Sequence, residues 1–163
     1  MALRDRTTFE TAADLDPTDR RILALLQEDA KRAQAEIAKA VGLTAPSVNE
    51  RIRKLERAGF IKGYAAVLDD RKLGYDISAF VEVFVEHPKF ETPFIEAVAE
   101  LDEVLECHHI TGEFSLLLKV KVLDMAAFRR LLIEKLNTIR GVRQTRTVMV
   151  LSTWKEQHRI KVD

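Results

Sequence analysis

Between Thr44 and Gly59 the chain reads TAPSVNERIRKLERAG, which sets four cations, Arg51, Arg53, Lys54 and Arg57, beside Ser47, Asn49 and Glu50. Serine, asparagine, glutamate and arginine are side chains that hydrogen-bond to base edges in a DNA major groove, and lysine and arginine neutralise phosphates. A second cluster, Cys107-His108-His109, holds the residue types of thiol–base catalysis or metal ligation. On a strand consecutive side chains point to opposite faces, so at most Cys107 and His109 share a site, and no third partner at suitable spacing is visible. The expectation is therefore of ordinary strand residues, with no enzyme activity, no metal and no cofactor.

Apolar spacing supplies the element that presents the first set. Counting about 100° per residue from Val48, the residues Ile52, Leu55 and Gly59 fall within about 40° of it and form one core-facing seam. Pro46, Glu50, Arg53 and Arg57 lie opposite, with Ser47, Arg51 and Lys54 on one flank and Asn49 and Glu56 on the other. Thr44 is an N-cap whose hydroxyl can accept the amide of Ser47. Upstream, a shorter helix from about Ala35 to Val41 buries Ile37, Ala38 and Val41 and ends at Gly42, which takes a positive φ. A first helix starts at Asp16-Pro17-Thr18-Asp19, with an N-cap acid, proline at the first helical position and an acid at the third; Ile22, Leu25 and Leu26 form its buried stripe.

A helix, a glycine turn and a capped second helix match a helix-turn-helix, whose second helix enters the major groove. Charged helix faces are also commonly just solvated, but here the cap, the turn, the three-helix unit and the local charge coincide. On this reading Ser47, Asn49, Glu50 and Arg53 face base edges. Arg51, Lys54 and Arg57 neutralise phosphates, and the helix end capped by Thr44 approaches one. Arg51 lies nearer the core seam, so bracing the hinge is its alternative role.

Whole-chain properties agree. The 163 residues are 47% hydrophobic, enough for real cores, and carry no net formal charge. Yet Lys31 to Lys62 holds eight basic residues against three acidic ones, a local +5. No apolar run approaches the ~20 residues of a membrane span, and MALRDRTTFE lacks the apolar centre of a signal peptide. Cys107 is the single cysteine and can form no internal disulfide. A soluble, cytoplasmic protein without membrane association is expected.

After Gly59 the period changes. Phe60 to Val67 reads as a connecting strand bounded by Gly63 and the polar turn Asp69 to Gly74. Residues 1–60 are thus the helical DNA-facing domain, 61–74 a hinge strand and linker, and 75–163 a second domain. In that domain ISAFVEVFVE places Ala79, Val81, Val83 and Val85 on one face and Phe80, Glu82, Phe84 and Glu86 on the other. Thr92 to Leu101 is helical; Val104 to Thr111 and Phe114 to Val122 form a hairpin around Gly112. Asp124 caps a helix burying Phe128, Leu131, Leu132, Leu136 and Ile139 that ends at Gly141, and a last strand runs from about Val142 to Trp154. The order βαββαβ is the ferredoxin-like split unit, with both helices on one sheet face. The bare face, with Phe80, Phe84 and Leu117, calls for a partner, and a second copy is the simplest. A stable homodimer would set two reading helices roughly 34 Å apart, hence a pseudo-palindromic site in double-stranded DNA.

The arrangement resembles the Lrp/AsnC, or feast/famine, family of transcriptional regulators. The resemblance is carried by LDPTDRRILALLQEDAK (Leu15 to Lys31), EIAKAVGLTAPSVNERIRKLERAGFIKGYAAVLD (Glu36 to Asp69) and HHITGEFSLLLKV (His108 to Val120), and it covers nearly the whole chain after Asp14. It implies an α+β protein: an N-terminal three-helix winged-type helix-turn-helix domain, a hinge strand, and a C-terminal ferredoxin-like αβ-sandwich that senses a ligand and dimerises. It also implies further assembly, typically into octamers, and an amino-acid or related effector near the loop Thr111, Gly112, Glu113, Phe114 and Ser115. Family members that bind amino acids commonly carry aspartate after the aromatic residue of that loop. Here it is Ser115, which can hydrogen-bond but cannot pair with an α-ammonium group. The alternative function is a metabolite-sensing module that acts on a protein partner without DNA binding.

Overall fold

The computed structural model describes residues 15–162, so the part of the expected first domain before Leu15 lies outside the described residues. The chain forms two compact units. One runs up to Ala66 and takes back the segment from Glu156 onward, and the other is Val67–Lys155.

The first unit holds α1 (Pro17–Glu28), α2 (Gln34–Val41) and α3 (Ala45–Arg57). Asp16 caps α1 by accepting the Asp19 amide at 2.7 Å. Gly42 closes α2 at φ +70°, a conformation that costs a side chain with a Cβ but not glycine. Ile22, Leu25, Ile37, Ala38, Val48, Ile52 and Leu55 close the core between the helices. Leu23 joins them, whereas Leu26 and Val41 pack at its margin; and α3 stops at Arg57, leaving Gly59 outside the seam in a turn at φ +79°.

The tail belongs to this unit, contrary to the expected boundaries. Gln27 grips the Ile160 backbone at both ends, accepting its N–H at 2.8 Å and donating to its carbonyl at 3.0 Å. Arg159 pairs with Glu28 at 3.1 Å, and Val162 packs against the core. Matching a backbone with a side-chain amide on another element leaves no periodic signal, which is why sequence spacing assigned residues 156–163 to the second domain.

The second unit is a four-stranded antiparallel sheet of β1 (Ile77–Val85), β2 (Val104–His109), β3 (Leu116–Val122) and β4 (Val142–Met149), in the order β2-β3-β1-β4. Strict alternation buries Ala79, Val81 and Val83 opposite Val120, Leu118 and Leu116, and α4 (Glu91–Ala99) covers that face with Phe94 and Val98. The second covering helix begins as α5 (Met125–Arg130), capped by Asp124 on the Ala127 amide at 2.6 Å. It continues as a π-helical turn at Leu131–Lys135 and a 3₁₀ turn at Leu136–Thr138. Phe128, Leu131 and Leu136 reach the core fully, Leu132 and Ile139 only in part.

Four expected strands are shorter or missing: β2 ends at His109 rather than Thr111, β3 starts at Leu116 rather than Phe114, and two others differ more. β4 stops at Met149, which lies opposite Ala79; β1 begins two residues before, at Ile77, so residues 152–154 have no strand left to pair with. Residues 62–69 form no strand among the described residues, and Tyr64, Val67 and Leu68 are exposed.

Candidate nucleic-acid interface

Three forces set the attitude of α3. Its apolar side, Val48, Ile52 and Leu55, is buried against α1 and α2. Its start is held by Thr44, whose Oγ1 accepts the Ser47 amide at 3.4 Å and lies 2.9 Å from the Ser47 hydroxyl. Its Arg51 reaches back to α1, where Nη1 donates to Asp16 Oδ2 at 2.6 Å and Asp19 Oδ1 at 2.8 Å. The two carboxylates hold the guanidinium's pKa above its ordinary value. The carboxyl of Asp16 is lowered, chiefly by the Asp19 amide and also by Arg51, against the opposing effect of burial.

What remains of α3 faces outward. Thr44, Ser47, Glu50, Arg53, Lys54 and Arg57 are exposed, and Asn49 is half-buried with its Oδ1 accepting from Gln34 Nε2 at 3.3 Å. Arg57 Nη2 and Glu50 Oε1 lie 3.1 Å apart, about two-thirds exposed on both sides, so their pairing is screened and weak. Of the eight residues expected on this surface, the fold brings seven to the outward or flanking sides of one helix. Arg51 is the exception, half-buried between α3 and the start of α1. Sequence reasoning treated Asp16 and Asp19 as a cap and a dipole partner only; their shared hold on Arg51 spans more than thirty positions, so no local pattern discloses it.

In the second unit Thr111, Gly112 and Glu113 are exposed at the tip of the β2–β3 connection, closed by the Ile110 amide on the Ser115 carbonyl at 2.9 Å. Gly112 has φ +125°, a conformation open to glycine. Phe114 is buried, and the Arg146 guanidinium sits over its ring at 4.8 Å while Nε donates to Glu82. The Ser115 hydroxyl oxygen is shielded and has no hydrogen-bond partner. The connection thus brings an aromatic ring and an unsatisfied hydroxyl to the start of β3, with the Arg146 guanidinium reaching the ring from β4 across β1.

The Cys107 cluster does not converge. Cys107 packs against the sheet core, where burial raises its thiol pKa, so it is a poor nucleophile. His109 Nε2 lies 3.2 Å from Glu91, and His108 Nε2 lies 2.9 Å from Glu106. Among the described residues no group of three histidine, cysteine or acidic side chains is placed to hold a metal ion. No helix among them is long and apolar enough to cross a membrane.

Comparisons with known proteins also fall into two parts, although the second match runs on past Lys155 into the tail. Residues 15–62 match the family model for a winged helix-turn-helix DNA-binding domain, and residues 78–160 the model for the Lrp/AsnC ligand binding domain. The leucine-responsive regulatory proteins of Klebsiella pneumoniae and of Escherichia coli K12 are both 42% identical to this chain over 151 residues, covering 91% of it and 92% of the relative. AsnC of Escherichia coli superposes with a TM-score of 0.84 at 32% identity, over 90% of this chain and 98% of AsnC. A transcriptional regulator of Neisseria meningitidis, solved as a complex with L-Met, superposes at 0.83 and 31% identity, over 88% and 94% of the two chains.

Proposed function

The chain belongs to the Lrp/AsnC family of DNA-binding transcriptional regulators, and we propose that it reads a pseudo-palindromic duplex in the cytoplasm as a homodimer, with an amino acid or related metabolite as effector. The observation that carries this reading is the division of α3: three apolar residues buried, and a continuous polar and basic surface left open. Ser47, Asn49, Glu50 and Arg53 are assigned to base edges, and Lys54, Arg57 and the Thr44-capped helix end to phosphates.

Dimerisation is supported by what the second unit leaves bare. Phe80, Phe84 and Leu117 alternate with the buried core residues and face away from α4 and α5, and Val148 on β4 is half exposed. The segment with Tyr64, Val67 and Leu68 adds apolar surface that a second copy could cover. Further assembly, octamers included, belongs to the same proposal. The effector is assigned to Thr111, Gly112, Glu113, Phe114 and Ser115, with the unsatisfied Ser115 hydroxyl offered to a ligand polar group. An effector acts here only by binding one assembly more tightly than another.

The test is a gel shift on the region upstream of the chain's own gene, run with wild type, Arg53→Ala and Arg57→Ala, beside a thermal-shift panel of amino acids. Arg53→Ala is expected to lose about 1–3 kcal/mol on the preferred duplex only, and Arg57→Ala to weaken all duplexes alike. Equal binding by all three proteins removes the assigned roles. A protein that responds to an amino acid yet retards no duplex would instead be a sensing module for a protein partner.

A further inference from the structure

Burial of Val48, Ile52 and Leu55 determines how deeply α3 sits, but apolar contact is non-directional and resists rotation of a helix about its own axis only weakly. Rotation is what decides which side chains meet base edges: a turn of about 20° moves the tip of a long side chain by roughly 2–3 Å, given a helix radius of 5–6 Å with side chains and arginine's greater reach. The directional restraint is Arg51. It lies about 60° from the seam, and a single nitrogen, Nη1, is shared between two carboxylates at 2.6 and 2.8 Å. Asp19 is buried to 6% exposure, and the second oxygen of Asp16 is already spent on the α1 cap, so neither acceptor is free to follow a moving partner. Two acids already hold this one cation, which makes it a poor partner for a phosphate.

We propose that Asp16 and Asp19 are positioning residues for DNA reading, which lock the rotation of α3 through Arg51, and that Arg51 sets sequence preference without touching the phosphate backbone. The proposal rests on the DNA-reading function above. It departs from the expectation that Arg51 neutralises a phosphate, and it takes the place of bracing the hinge as the alternative role of Arg51. Base-edge hydrogen bonds tolerate little misalignment, so a loosened α3 loses discrimination first, whereas a phosphate contact made by flexible Lys54 or Arg57 survives small rotations.

The sign of one substitution separates this from plain electrostatics. Asp19→Asn removes a negative charge from a DNA-binding unit, which by charge alone tightens binding to every duplex. Released rotation predicts the opposite on a preferred duplex. The experiment measures the affinity of full-length wild type, Asp19→Asn, Arg51→Ala and Arg51→Lys for a duplex selected by the wild type from a random-sequence pool and for its scrambled counterpart, across a salt series. Thermal melting of each variant keeps the measurements below the unfolding transition. The expected result is a loss of about tenfold or more in preference for the selected duplex with Arg51→Ala, a smaller loss with Asp19→Asn, partial rescue with Arg51→Lys, and an unchanged salt slope throughout. The inference is overturned if Arg51→Ala lowers the slope by about 0.9 per protomer, the mark of a lost phosphate contact, or if Asp19→Asn binds the selected duplex as well as or better than wild type. Melting changes in the variants without any loss of preference also overturn it, since that is what a purely structural ion pair produces. If the wild type selects no sequence from the pool, it is the DNA-reading function that has failed, which is a distinguishable outcome.

Discussion

Salt dependence of DNA binding can be worked out from α3. Each protomer offers two outward cations assigned to phosphates, Lys54 and Arg57, and a dimer offers twice that number. Four neutralised phosphates give a slope of log affinity against log salt of about −3.6, so raising salt fourfold, from about 50 to 200 mM, weakens binding about 150-fold. Replacing Arg57 by alanine removes two of the four; the slope becomes about −1.8 and the same salt change costs about 12-fold. Competition from Glu50 hardly alters this, because the 3.1 Å pair is exposed on both sides and opens at little cost. Fluorescence anisotropy with a labelled duplex over that salt range reads the slope directly. Lys54→Ala should match Arg57→Ala, while Arg53→Ala lowers affinity for the preferred duplex and leaves the slope near the wild-type value. If Lys54→Ala and Arg57→Ala both keep the wild-type slope, these side chains face solvent in the complex and the assigned docking of α3 is wrong.

Other consequences concern the scaffold and the assembly. Gly141 has φ +94°, and a Cβ there would come within 2.4 Å of Phe90 Cβ, so Gly141→Ala should destabilise the second unit by about 2–4 kcal/mol in urea unfolding. The cost should shrink when Phe90 is also replaced by glycine, which removes the Cβ as well as the ring, and strictly additive losses would show that the close approach is not the cause. The Asp19 amide and Arg51 hold the Asp16 pKa below its ordinary value, so its stabilising contribution is complete above the usual carboxylate range and fades as pH falls through the lowered value. Melting of the first unit should therefore drop less steeply on acidification in Asp16→Asn, which keeps the cap, than in the wild type. Phe84→Glu on the bare sheet face should lower the mass seen by light scattering at micromolar concentration to that of a monomer without unfolding β1, and an unchanged mass would place the subunit contact elsewhere.

Local chemistry made much of this protein legible. The Asp16 and Thr44 caps, the glycine after α2 and the three-residue seam of α3 all depend on neighbours within one or two helical turns, and each is where the spacing puts it. Alternation along β1 and β3 likewise separates Val81 and Leu118 from Phe80 and Leu117, because a strand has only two faces. The outward set of α3 follows from the same arithmetic.

Features that depend on distant partners were decided by tertiary structure. Sequence around Tyr64 and beyond Val150 has strand composition, yet it forms no strand among the described residues, since a strand exists only where another backbone accepts its hydrogen bonds. The interruption of the second covering helix by a π-helical turn at Leu131–Lys135, where Leu131 is fully buried, could not be read from caps and periodicity. The return of residues 156–162 to α1 and the commitment of Arg51 to Asp16 and Asp19 have the same origin. Amino-acid order by itself settled which faces are apolar and which helix is capped, because those are properties of short range. Which cation is free to meet DNA and which is held inside was settled only when chain segments far apart in sequence came within hydrogen-bonding distance.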